Sequence, residues 1–233
     1  MYDYTMNGGT GLSTLGSVEG LAWVKTKYAD TNDDWPDIQF HFAAGSDVSD
    51  AGRYVRKGHG IRDDVWDEYF KPISETDTFS IVPVYLRPKS EGYIRLKSAN
   101  PYDKPIINPN YYDHPDDIKV MIEGVKIALN LGNSDAFKEF GARFYNRTFP
   151  GCEGYEMLSD EYLTCWIKGY SMTMIHDVAT CKMGPDSDRE AVVDPQLRVR
   201  GIKGLRVADN SIMPMVPSGN TMAPAVRQQI FIL

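Results

Sequence analysis

Between Asp37 and Ala43 the chain alternates Ile38, Phe40 and Phe42 with Gln39 and His41. A period of two predicts a half-buried strand whose polar side chains face away from the apolar row, and on that pattern His41 is a plain surface or interface histidine. A second apolar run, Phe79 to Leu86, carries Ile81, Val82, Val84 and Tyr85; then Tyr93 to Lys97 sets Ile94 and Leu96 against Arg95 and Lys97. The turn-forming link Arg87-Pro88-Lys89-Ser90-Glu91-Gly92 predicts that these two runs fold back on each other as an antiparallel hairpin. Pro83 has no N–H for a central ladder, so the first run is expected at an edge or a bulge.

Helical spacing takes over at Pro115. Asp116 and Asp117 occupy the first turn, Ile118, Met121, Ile122, Val125 and Leu129 share one face, and Gly132 is a natural stop. A second helix is predicted from Ser134, with Phe137 and Phe140 on one face. A third is predicted from Ser159, with Leu163, Trp166, Ile167 and Tyr170 buried. Residues 46 to 76 read as a long irregular excursion with a short helix around Asp64 to Phe70, and Asn100 to Asn110, with three prolines, as extended loop. Leu205-Arg206-Val207-Ala208 predicts a short strand running into Asp209-Asn210. Local strand pairing followed by helices predicts an α+β fold, mainly antiparallel sheet with flanking helices.

Composition narrows the picture. The 233 residues carry a net charge of -7, which argues against nucleic acid as a partner. No apolar run approaches the ~20 residues of a membrane span, and the N-terminus has no signal-peptide pattern. Gly8-Gly9-Thr10-Gly11 lacks Gly-x-Gly-x-x-Gly spacing and follows no strand, so it is not a dinucleotide fingerprint. Cys152, Cys165 and Cys181 lack metal-site spacing. Cys152 and Cys165 flank a turn and could close a short loop, the alternative being buried free thiols. Asn146-Arg147-Thr148 matches the N-glycosylation acceptor pattern; with a disulfide it would fit a secreted parent, although the sequence assigns no location.

The residues suited to chemistry gather between Ile175 and Pro224. His176 precedes Asp177, a carboxylate able to raise its pKa. Asn220, in Ser218-Gly219-Asn220-Thr221, and the pair Asp209-Asn210 are, on the residues alone, turn and capping groups.

The ordered blocks His176, Thr180-Cys181-Lys182-Met183-Gly184-Pro185, Ala191-Val192-Val193-Asp194-Pro195, Gly204-Leu205-Arg206-Val207-Ala208-Asp209, Ser211-Ile212-Met213-Pro214 and Ser218-Gly219-Asn220-Thr221 resemble the C-terminal signature of the glucose-methanol-choline (GMC) family of FAD-dependent oxidoreductases, particularly its insect glucose-dehydrogenase-like branch. Leu86-Arg87-Pro88-Lys89-Ser90, Ser98-Ala99-Asn100-Pro101, Ile107-Asn108-Pro109-Asn110-Tyr111 and Glu123-Gly124-Val125-Lys126 extend the resemblance upstream. It implies an alcohol or sugar substrate, FAD as cofactor, His176 as the base that takes the hydroxyl proton, and Asn220 as the second group on the same oxygen. It also implies that Asp209 and Asn210 lie near the FAD ribityl and diphosphate and that Thr221 and Met222 lie beside the flavin ring. The implied division is 1–78 as the tail of the N-terminal region with the start of the substrate domain, 79–190 as the substrate-binding domain, and 191–233 as a strand and loop returning to the FAD domain.

Asp177 and Ala179 stand where the family usually has proline and glycine, and Met222 replaces a common asparagine. No counterpart of the family's N-terminal Gly-x-Gly-x-x-Gly unit is present, and the chain stops soon after Pro224. The chain is therefore expected to be the C-terminal part of a longer enzyme, with a non-catalytic remnant acting as a binding module as the alternative.

Overall fold

The computed structural model describes residues 18–74 and 76–230, with Met6 and Gly8, and side chains as far as Gln228. Apart from Gly8, the N-terminal glycine-punctuated stretch lies outside the described residues. The fold is α+β, with helices and two antiparallel sheets. It divides into one unit running to Tyr85 plus Ile118–Met172, and another of Leu86–Asp117 plus Thr173 onward. No helix among the described residues is long and apolar enough to cross a membrane.

The first unit is built on a three-stranded sheet, β1 (Val18–Val24), β2 (Ile38–Ala43) and β3 (Ser80–Tyr85), in the order β1-β2-β3. Strand β1 carries the apolar run Leu21-Ala22-Trp23. Pro83 sits on the edge strand, as its missing N–H requires. Helix α1 (Pro115–Gly132) covers the Ile38 and Phe40 face. Its innermost residues are Val120 and Ala128, with Met121 and Ile127 beside them. Of the predicted stripe, Ile122 is buried and Met121 packs on the core, while Ile118, Val125 and Leu129 are half-buried. Gly124 marks the closest approach to the sheet. A Cβ there would lie 3.2 Å from Ile38 Cδ1 and 3.4 Å from Pro83 Cβ, so glycine lets the helix approach at its centre despite its poor helix propensity.

Gln39 and His41 are both buried, at 0% and 6% exposure, where the alternation had placed them outward. Because β2 is the central strand, Gln39 lies between Trp23 and Val84, and His41 between Leu21 and Val82. Large neighbours on both sides roof the polar side chains over.

The 46–76 excursion has its own packing. Val48, Trp66, Tyr69 and Phe70 are buried, and helical turns from Asp63 to Ile73 include a π turn at Trp66–Phe70. Buried Asp47 accepts from His59 Nδ1 at 2.5 Å and from the Tyr170 hydroxyl. Burial, then the charge of Asp47, pushes the Tyr170 phenol well above its usual range. The helix from Ser134 is a single turn, α2 (Asp135–Lys138). Phe137 stacks on Phe79 at 4.8 Å, but Phe140 is 88% exposed because the turn ends at Lys138 and Gly141, at φ +73°, redirects the chain. Helix α3 (Asp160–Tyr170) starts as expected: Ser159 accepts from Tyr162 N at 3.1 Å, and Tyr162, Leu163 and Ile167 are buried. Cys152 and Cys165 are joined as a disulfide across 13 residues.

In the second unit the predicted hairpin is not formed. Strand β3 pairs with β2, while β4 (Tyr93–Arg95) pairs with β5 (Ile106–Asn108), inside what had read as extended loop. The Ser98–Asp103 segment makes the turn, through Asp103 N to Asn100 O at 3.1 Å and Ser98 Oγ to Asp103 Oδ2 at 2.6 Å. The Arg87–Gly92 link is held by Asp117, 1% exposed. That carboxylate accepts from Lys89 N at 2.9 Å, Ser90 N at 2.8 Å and Ser90 Oγ at 2.5 Å. These donors are spent on the carboxylate, and the chain is steered away from a tight reversal. Likewise Leu205–Ala208 forms no strand; it contributes one bridge, Arg206 to Arg198, to a knot around Val193, Leu197 and Ile212.

Asp117→Ala strands three donors at once and is expected to lower stability by about 3 kcal/mol, read from the denaturant midpoint. Reducing Cys152–Cys165 reopens a short loop and is expected to cost about 3 kcal/mol by loop closure; thermal melts with and without reductant measure it.

Candidate active site

His176 stands in the segment between α3 and the C-terminal knot, in a loop of unusual backbone. Ile175 N donates to Thr173 Oγ1 at 2.9 Å, which turns the chain, and Ile175 itself lies at φ +58° while Ala179 lies at φ +70°. Both are left-handed, a conformation that costs an L residue about 1–2 kcal/mol and is least natural for a β-branched side chain. Beyond it the loop is pinned by Cys181 N to Ser211 O at 3.0 Å and Met183 N to Ile212 O at 2.8 Å. The histidine is therefore carried on a short span that a local turn opens and two backbone bonds pin downstream.

The second limb is built from Asp209 to Met222. Asp209 accepts from Ser211 N at 2.8 Å and caps a 3-10 turn, Asn210–Ile212. Asn210 Nδ2 donates to Thr221 Oγ1 at 3.0 Å. Thr221 is buried at 4%, and its carbonyl accepts from Ala225 N at 3.0 Å, opening helix α4 (Met222–Ile230). Its neighbour Asn220 is exposed. Asn220 Nδ2 lies 3.4 Å from His176 Nε2, a long contact in which the amide N–H can only donate, so the ring nitrogen accepts when it carries no proton.

Of the six residues singled out in the sequence, four thus meet in two pairs, His176 with Asn220 and Asn210 with Thr221. Asp209 is engaged locally with Ser211. Met222 is 77% exposed at the start of α4. A supporting residue that had been given no role is Arg87, whose guanidinium donates to Ser218 Oγ at the entry to the Asn220 loop. Its only mark in the sequence was membership of the Leu86-Arg87-Pro88-Lys89-Ser90 block.

Electrostatics around His176 run opposite to the expectation from its neighbour alone. Burial lowers its pKa below 6.5, and the opposing pull of Asp177 does not restore it. Burial thus favours the neutral form of the ring.

Comparison with known proteins now bears on this geometry. The C-terminal GMC oxidoreductase family model matches residues 88–227. Glucose dehydrogenase [FAD, quinone] of Drosophila melanogaster is 37% identical over 218 residues, covering 94% of this chain and 32% of that protein. Alcohol dehydrogenase [acceptor] of Pseudomonas putida is 38% identical over 193 residues, covering 83% of this chain and 30% of that one. Among solved structures, a formate oxidase variant of Aspergillus oryzae superposes with a TM-score of 0.71 at 23% identity, over 98% of this chain and 38% of that one. The chain belongs to the GMC oxidoreductase family, and it spans about a third of the length of these curated relatives.

Titration of His176 Hε1 by NMR is expected to give a midpoint below 6.5. Asp177→Asn removes the one raising influence and is expected to lower it further. The unfolded chain takes up this proton first as pH falls, so acidification through 6.5 removes stability rather than adding it.

Proposed function

We propose that this chain supplies the substrate-side and catalytic portion of an FAD-dependent oxidoreductase that oxidises a CH–OH group of an alcohol or sugar. The single observation carrying the reading is the convergence of His176 Nε2 and Asn220 Nδ2 at 3.4 Å, in a chain whose relatives are named as alcohol, sugar and choline dehydrogenases. An oxygen in contact with both nitrogens would lose its proton to His176 and accept a hydrogen bond from Asn220. Charge building on that oxygen as the C–H bond weakens would be stabilised by the same pair. A neutral His176 is the protonation state this role needs.

The residues present fit the cofactor. Asn210 Oδ1 is buried with no partner among the described residues, an acceptor suited to a ribityl hydroxyl. Asp209 likewise suits hydroxyl donors better than phosphate, and the exposed Met222 side chain beside Thr221 offers an apolar surface to a ring. Asp209 and Asn210 would hold the ribityl stretch, and Thr221 and Met222 would flank the isoalloxazine. When bound, the flavin supplies the two-electron acceptor for the hydride released from the alcohol carbon. The dehydrogenase reading is favoured over an oxidase by the printed names of the relatives at 37% and 38% identity.

In the full-length parent, His176→Ala is expected to lower kcat by about 10²–10⁴-fold with FAD still bound, and Asn220→Ala by about 10²-fold. Stopped-flow flavin reduction by a panel of sugars and alcohols measures both. Unchanged turnover in His176→Ala would remove the catalytic assignment, and FAD binding without turnover of any CH–OH donor would favour the non-catalytic module that Asp177 and Ala179 had suggested.

A further inference from the structure

The segment Arg143–Phe149, which the flavin chemistry does not use, is built to present one residue. Phe144 packs edge-on against Trp166, with ring centroids 6.2 Å apart. Tyr145 donates its hydroxyl to Tyr69 O at 2.9 Å and lies T-shaped on the Tyr69 ring at 5.1 Å. At the far end Phe149 is 3% exposed, and its N–H is taken by the Tyr162 hydroxyl at 3.0 Å. Between these anchors Arg147 N closes back on Tyr145 O at 3.0 Å, a tight reversal with Asn146 at its apex. Asn146 and Arg147 are exposed, while Thr148 is half-buried on the return.

This apex is the sole Asn-x-Ser/Thr acceptor in the 233 residues. A second, independent observation points to the same compartment: Cys152 and Cys165, bridged just downstream, need the oxidising conditions in which such acceptors are used. We propose that Asn146 carries an N-linked oligosaccharide. Asn146 Nδ2 bonds to the anomeric carbon of a lipid-diphosphate-linked oligosaccharide. The carbon–oxygen bond to the diphosphate breaks, the lipid diphosphate leaves, and the amide gives up one proton. A bulky polar chain is tolerated here because the anchors at 144, 145 and 149 carry the packing while the apex carries none of it.

Expressing the full-length parent through the secretory pathway of insect cells tests the proposal. Peptide mapping is expected to show a hexosamine-based glycan on Asn146, converted to Asp by peptide N-glycosidase with a single mobility shift. Asn146→Gln and Thr148→Ala should each abolish that shift, and Thr148→Ser should retain it. Secreted protein with a bridged Cys152–Cys165 pair and an unmodified Asn146 overturns the proposal. So does protein from its natural source in which the pair is reduced and Asn146 is bare.

Discussion

One half-buried hydrogen bond, Asn210 Nδ2 to Thr221 Oγ1, ties together the second limb of the candidate site. It joins the turn that follows the C-terminal knot to the residue that opens α4, and neither partner can turn away without leaving a polar group unsatisfied. Thr221 is buried, and its exposed neighbour Asn220 lies against His176. Arg87, gripping Ser218 from a distant part of the sequence, fixes the entry to the same loop.

The other limb is held by a different means. His176 is flanked at Ile175 and Ala179 by left-handed backbone, which persists only where the surroundings over-determine it. Here the surroundings are the Thr173 hydroxyl upstream and the two backbone bonds to Ser211 and Ile212 downstream. The second pair begins in the very turn that Asp209 caps, so both limbs of the site share one support. Glycine would sit at the Ala179 position without that penalty.

Much of the fold was legible from local pattern. The Ile38-Phe40 alternation, the edge position of Pro83, the start of α3 at Ser159 and the Pro115–Gly132 helix follow from spacing and capping that a few residues carry by themselves. Several departures share a cause: they depended on a partner distant in sequence. Nothing between Arg87 and Gly92 reveals that Asp117 will claim its amides, nor does the alternation around His41 disclose that β2 is central. Nor does the helical pattern show that Gly124 lets α1 close on Ile38 and Pro83. For the site, residue types alone yielded turn and capping groups. The family resemblance selected His176 and Asn220, and the lowering of the His176 pKa required the burial that only the folded chain supplies.

Arg87 and Ser218 are 131 residues apart, and this separation has a consequence for the order in which the chain matures. A ribosome releases Arg87 long before Ser218 exists, and the closure entropy of so long a loop must be met before the contact returns anything. The first unit, closed once Met172 has emerged, can consolidate before the last part of the second exists. During synthesis the paired nitrogens of His176 and Asn220 are therefore among the last features to assemble, and the interval before they do is when the nascent chain most needs protection from association.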